Sequence, residues 1–401
     1  MEEFSCEGDG YYPRFSHEEF QRRYKKIREV MANQGLDCVI FAGTPSLTSG
    51  GGFGVTYVSN YTVWTTCGYV VFPLEGDPTL ILPINRNCHL PNVRAVSVIN
   101  DIRSSIRGGE GMAVVERIRE LGLEKSAIGI TALDWQGRTV LLNFHRYLEQ
   151  NLSEVRLRLL DYDFLARIWL VKSPEEIEFF EKAARICDLA VERAIDMIEP
   201  GVKEHEVAAV MKHEILRNQA EIAFVMVGST PMANPALSFP NMVPPARPLQ
   251  EGDIFLNELG VRLSGLEAQT GKPISLGEPT TRYKEFYENI VLELFRLIVE
   301  AIKPGNTVKD IQKAGSVMVK AGYQPAAPLV HGVTVGQDMP FVWPSFAIPP
   351  DLTFESNMVL VPEVNPQTPN GRFGVFLGDT YVITEDGARS LNKYPLEMTV
   401  T

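Results

Sequence analysis

The chain has 401 residues, 45% of them hydrophobic and 22% charged, with a formal net charge of −12 at pH 7; this is enough for two or more domains of ordinary soluble composition. The acidic balance argues against nucleic acid or an anionic membrane surface as the main partner, and no apolar run reaches the roughly 18 residues of a spanning helix. Residues 1–15 show neither a basic n-region nor an apolar h-region, so no signal peptide is read there. The five scattered cysteines, Cys6, Cys38, Cys67, Cys88 and Cys187, lack CxxC or zinc spacing and read as free thiols of a cytoplasmic protein.

Ser16 and Glu19 form a capping box ahead of an amphipathic helix that ends near Gly35. Cys38–Gly43 is an apolar run and reads as a buried strand. The runs 69–73 and 79–83, joined by Leu-Glu-Gly-Asp-Pro, read as a hairpin. The glycines of Ser49-Gly-Gly-Gly-Phe-Gly54 lack the Lys-Ser/Thr of a phosphate loop and read as a plain loop. A helix near 110–121, a strand at 127–131 and a helix near 136–150 follow. Strands alternating with helices predict an α/β domain over residues 1–160.

Ser173-Pro174-Glu175-Glu176 supplies an N-cap, a proline at the first helical position and a glutamate at the third. It opens a helix running to about residue 197, near the start of a second domain, 161–401. A helix at 204–218, a strand at 222–227 and helices near 281–302 and 307–321 continue it. The stretches IEPGVKEHEV (198–207) and IKPGNTVKDI (302–311) are alike, each closing one helix and opening the next, the mark of an internal duplication within an α+β domain.

Five segments carry the chemistry: GDIFLNELG (252–260), GLEAQTGKP (265–273), HGVTVGQDMP (331–340), VLVPEVNP (359–366) and GVFLGDTYVITEDG (374–387). In that order they resemble the metal-ligand blocks of the creatinase / aminopeptidase P / prolidase (M24) family. The resemblance implies that the second domain is an α+β pita-bread domain with a curved antiparallel sheet and the site on its concave face. Metallopeptidase members supply Asp, Asp, His, Glu and Glu from these blocks to two metal ions. The matching positions here are Asn257, Gln269, His331, Glu363 and Gly378. One carboxylate and one imidazole are too few anionic donors for a pair of hard cations, so neither metal nor cofactor is expected.

His331 is the candidate proton carrier, since histidine titrates near neutrality. Glu363, delivered by the apolar strand Met358–Val361, is its candidate partner, and a carboxylate buried there must be paired or have a raised pKa. Asn257 and Gln269 donate and accept hydrogen bonds without charge and read as substrate-holding groups. Asn241 falls where the family places a further histidine, and Asp338 lies one residue short of another. Strand alternation turns Glu258 away from Asn257, leaving Glu267, on the face of Gln269, as the nearer spare acid. By resemblance to creatinase, Tyr61, Trp64 and Arg86 of the N-terminal domain are expected to reach substrate at a partner subunit's site. Cys67, Cys88 and His89 are minor candidates in the same domain.

These readings give a metal-independent, creatinase-like hydrolase cleaving a C–N bond of a small polar nitrogen compound, in a homodimer with the site near the subunit interface and no nucleic-acid or membrane partner. The alternatives are a lyase or isomerase with His331 as base, a silent binding protein, and a metal-dependent Xaa-Pro peptidase with a rearranged site.

Overall fold

The computed structural model describes residues 12–44, 52–63, 67–131 and 141–401. The chain divides into two compact units, Met1–Leu170 and Val171–Thr401. The first is built on six strands: β1 (Cys38–Gly43), β2 (Gly68–Pro73), β3 (Thr79–Leu82), β4 (Asp101–Ser104), β5 (Ala127–Thr131) and β6 (Arg156–Leu160). Their order is β4-β3-β2-β1-β5-β6. The β2–β3 pair is the antiparallel hairpin expected from its turn residues. Alternate residues of β1, Cys38, Ile40 and Ala42, pack with Tyr69 and Val71 of β2 against Val114, Ile118, Phe144 and Leu148; the last four lie on the helices Glu110–Glu120 and Leu142–Asn151. The period of two on the strands and of three to four on the helices creates this core. Ser16 caps the first helix, His17–Asn33, by accepting from the Glu19 amide.

The helix Tyr162–Trp169, assigned by sequence to the second domain, belongs to the first unit. Phe164 packs on Phe41 and Trp169 edge-on to Tyr57, so the division falls after Leu170.

In the second unit the Ser173 capping box is complete: its hydroxyl accepts from the Glu176 amide and the Glu176 carboxylate accepts from the Ser173 amide. The helix it opens, Pro174–Met197, packs on Glu204–Arg217. A second pair follows: Thr281–Phe286 continues through a π-helical turn into Glu293–Ala301, which packs on Val308–Lys320. The Pro-Gly connectors thus join two like helix pairs. Both accompany a twelve-stranded sheet. Seven of its strands frame the site: β7 (Glu221–Pro231), β8 (Asp253–Leu263), β9 (Leu266–Gly271), β10 (Val330–Val333), β11 (Gln337–Val342), β12 (Val359–Val364) and β13 (Leu377–Asp379). They run β11-β10-β12-β13-β9-β8, with β7 also paired to β8. No helix among the described residues is long and apolar enough to cross a membrane.

Candidate active site

Strand register decides which side chains meet. In the antiparallel β8–β9 pair, Gly260 stands opposite Gln269 and Arg262 opposite Glu267. Cross-strand partners share a face and successive residues alternate. Glu258, Gly260 and Arg262 therefore lie on one face with Glu267, Gln269 and Gly271, while Asn257 points elsewhere. Gly378 of β13 faces Gly271, Glu363 of β12 faces Gly378, and His331 of β10 faces Val361, two residues from Glu363. One face so gathers Glu258, Arg262, Glu267, Gln269, His331 and Glu363.

His331 is 1% exposed. Its Nδ1 lies 2.7 Å from the carbonyl oxygen of Gly332. A carbonyl only accepts, so Nδ1 carries the proton and Nε2 the lone pair. Burial lowers the imidazole pKa to about 4, which keeps the ring neutral. Nε2 has no hydrogen-bond partner and stands 3.7 Å from Glu363 Oε2. Burial, reinforced by the nearby Glu258 charge, raises the Glu363 pKa well above the usual carboxylate range. Glu258 is raised to about 8, first by burial and then by the charge of Glu267. Its Oε2 is buried without a partner. Glu267 is held by Arg262 Nε at 2.8 Å and by Gln269 Nε2 at 2.7 Å, which leaves Gln269 Oε1 buried and unpartnered.

A raised carboxyl has a definite linkage sign. Between its ordinary pKa of 4.5 and about 8, folded Glu258 keeps a proton that the unfolded chain has released. Its contribution to stability therefore declines as pH rises through that interval. Thermal melts from pH 5 to 8 should show a shallower fall in Tm for Glu258→Gln than for the parent; identical slopes would contradict this assignment.

Other candidates are placed differently. Asn257 is spent on the backbone of Lys272, donating from Nδ2 to its oxygen and accepting at Oδ1 from its nitrogen at 3.2 Å. It is a pin within the sheet, and Glu258, set aside on sequence grounds, is the residue that faces the site. Asp338 accepts from the Thr334 hydroxyl at 2.7 Å and the Met339 amide at 2.8 Å, and Thr334 also accepts from Lys172 Nζ; its carboxylate is a structural latch. The Asn241 side chain borders the face, its Nδ2 lying 2.7 Å from where a Cβ on Gly228 would stand. Gly228 shares a face with Met226, which pairs with Glu258. Tyr61 is half-buried and Arg86 exposed, both in the first unit, and Trp64 lies outside the described residues. His89 and Cys88 are exposed. Burial raises the Cys67 thiol, the opposite of a reactive thiolate.

The row Gly271–Gly378 has a specific occupant. A Cβ on Gly271 would lie 2.3 Å from the Phe376 ring and 2.6 Å from the Asn257 carbonyl oxygen, and one on Gly378 3.2 Å from the same ring. Phe376, packed edge-on to Phe239, fills the space that a side chain at 378 would need. A groove of about 790 Å³ in the first unit, bordered by His17, Tyr24 and Arg28, contains none of these residues.

Comparison with known proteins agrees with the architecture. Residues 178–385 match the model of metallopeptidase family M24. The chain is 26% identical over 382 residues to an Xaa-Pro dipeptidase of Pyrococcus horikoshii, spanning 94% of this chain and 98% of that one. It is 31% identical over 238 residues to the Xaa-Pro dipeptidase of Pyrococcus furiosus, spanning 59% and 67%. The solved prolidase of Pyrococcus horikoshii superposes with a TM-score of 0.74 at 26% identity, over 94% of this chain and 99% of that one. The fold is the pita-bread fold with an N-terminal α/β domain. A metallopeptidase match and relatives named for Xaa-Pro peptides overturn the expectation of a metal-independent hydrolase of non-peptide C–N bonds.

The family description implies a metal. Among the described residues no three His, Cys, Asp or Glu side chains are arranged to hold an ion. Gln269 is neutral, Gly378 offers no donor, and Phe376 occupies the space beside it. The donor set does not fit a two-ion centre.

Proposed function

The chain belongs to metallopeptidase family M24, and on that premise we propose that it hydrolyses the peptide bond of short Xaa-Pro peptides at the His331–Glu363 face. The observation that carries the reading is the pairing of an imidazole, with its Nε2 lone pair free, and a carboxyl 3.7 Å away, both buried, where burial favours the uncharged form of each. Nε2 takes a proton from water as the water oxygen bonds to the scissile carbonyl carbon. The Glu363 proton passes to the amide nitrogen as the C–N bond breaks. Positioned groups of this kind speed proton transfer by about 10²–10⁴-fold. Gln269 and Asn241 supply neutral polar groups along the same face, and Glu258 sets the charge around Glu363.

The working forms define the pH window. His331 must be neutral, so activity rises as pH passes about 4. Glu363 must be protonated, so activity falls as pH passes its raised pKa. Glu258→Gln removes one charge that raises that pKa, and the alkaline limb should move to lower pH. An unchanged limb would separate Glu258 from Glu363.

Proline release from alanylproline, compared with alanylalanine, tests the activity itself. The reading expects preferential release from alanylproline and its loss in Glu363→Gln. Binding without release in the parent would make the chain a peptide-binding member of the family. We also propose a homodimer whose partner domain brings Tyr61 and Arg86 toward this face. Sedimentation should give twice the 44.7 kDa chain mass; a monomer that retains activity would remove that part of the proposal.

A further inference from the structure

Away from this face, the groove in the first unit brings together charges of both signs. Its volume of about 790 Å³ lies within the range of small-ligand sites, about 300–1,000 Å³. One wall is a face of the helix His17–Asn33, where Tyr24, Lys25, Arg28 and Glu29 recur at three- and four-residue spacing. The other wall includes Asp77 of the β2–β3 turn. Phe20 and Ile99, each 3% exposed, and the buried Pro78 add an apolar lining.

Arg28 is the anchor. Its guanidinium carbon lies 5.3 Å from the centroid of the Phe72 ring, and Nη2 donates to the Gly76 carbonyl at 2.6 Å. These contacts hold the group in place, yet its Nε is buried without an acceptor, and a buried N–H left unmet forgoes the hydrogen bond it made in water. Asp77 directly follows Gly76, but among the described residues Arg28 and Asp77 form no ion pair. Burial raises the pKa of the Tyr24 hydroxyl, while of these two charges Arg28 lowers it and Asp77 raises it, so both lie within electrostatic reach of one phenol. A fixed cation and an anion, close but not in contact, leave a gap that a molecule carrying both charges can bridge.

We propose that this groove binds a free α-amino acid with a branched apolar side chain, its carboxylate on Arg28 and its ammonium on Asp77. The Arg28 Nε–H gains its missing acceptor, and a charge-assisted hydrogen bond of this kind is stronger than a neutral one. Lys25 and Glu29, one turn apart on the same helix face, add a second charge of each sign. A simple anion would be repelled by Asp77 and Glu29, and a simple cation by Lys25 and Arg28. The side chain of the amino acid lies along Phe20, Pro78 and Ile99. The site is separate from the His331–Glu363 face and does not depend on the peptidase reading.

Calorimetric titration of the full chain with L-leucine tests the site. Leucine should bind, while N-acetylleucine, which lacks the ammonium, and leucinamide, which lacks the carboxylate, should each bind at least tenfold more weakly. Arg28→Gln and Asp77→Asn should each weaken leucine at least tenfold, with parental circular dichroism spectra. Asp77 is exposed on a turn, so its variant decides the matter if Arg28→Gln does not fold. No heat of binding with leucine would overturn the proposal, as would equal affinity for leucine and either derivative. Parental leucine affinity in Asp77→Asn would place the amino acid elsewhere in the chain and overturn it too.

Discussion

Replacing His331 with alanine is expected to lower kcat for alanylproline by about 10²–10⁴-fold while leaving the fold intact. The ring makes one hydrogen bond, to the carbonyl of the adjacent Gly332, and stacks loosely on Phe341 with centroids 5.8 Å apart, so neither contact spans distant parts of the sheet. Its Nε2 is the free basic nitrogen beside Glu363, and no other imidazole of the chain lies in the five blocks. KM should change little, because Gln269 and Asn241, the polar groups proposed to hold substrate, are untouched. A variant with parental kcat, and a parental circular dichroism spectrum to show that it folds, would remove His331 from the chemistry.

The second large effect concerns packing. Gly271→Ala is expected to destabilise the second unit by about 3 kcal/mol, the upper end of overpacking costs. The added methyl meets the Phe376 ring at 2.3 Å and the Asn257 carbonyl oxygen at 2.6 Å. The ring has room to yield only by disturbing Phe239, and the carbonyl belongs to a strand pinned through Lys272. At about 2–4 °C per kcal/mol for a unit of this size, Tm should fall by roughly 6–12 °C. Adding Phe376→Ala should relieve the ring contact, so the double variant should be less destabilised than the sum of the singles. Strict additivity would mean that Phe376 does not occupy the space above Gly271.

Much of the fold is legible because local chemistry and tertiary packing agree. The Ser16 and Ser173 caps, the β2–β3 hairpin and the two Pro-Gly helix connectors each follow from a few adjacent residues. The five blocks fall on one sheet, where His331 and Glu363 share a face. What the blocks left ambiguous was orientation at the first of them. Asn257 and Glu258 are adjacent, and one residue of register exchanges which of them faces the site.

The signal that resolves this is in the sequence. Leu263-Ser264-Gly265-Leu266 is a two-residue hairpin turn, with φ of 49° at Ser264 and 86° at Gly265, the left-handed pair of a type I′ turn. Pairing Leu263 with Leu266 and counting back sets Gln269 opposite Gly260, and Glu258 opposite Gly271. Glu258, and not Asn257, is then the residue that shares the face of Gln269. Other features have no local signature. The ring of Phe376 over two glycines joins residues about a hundred positions apart, and the latching of Asp338 by Thr334 depends on a turn that motif spacing does not define. The function reading went astray by counting donors at the matched positions: Asn257 was entered as a lost ligand while the carboxylate beside it faces the site.

Hydrolysis of alanylproline by the purified parent chain in water enriched in ¹⁸O, followed by mass spectrometry, tests the central claim most directly. The account predicts free proline without label and alanine carrying one ¹⁸O in its carboxylate, the oxygen delivered by water at the His331–Glu363 face. Intact, unlabelled dipeptide after prolonged incubation, both as purified and with added divalent ion, would contradict it.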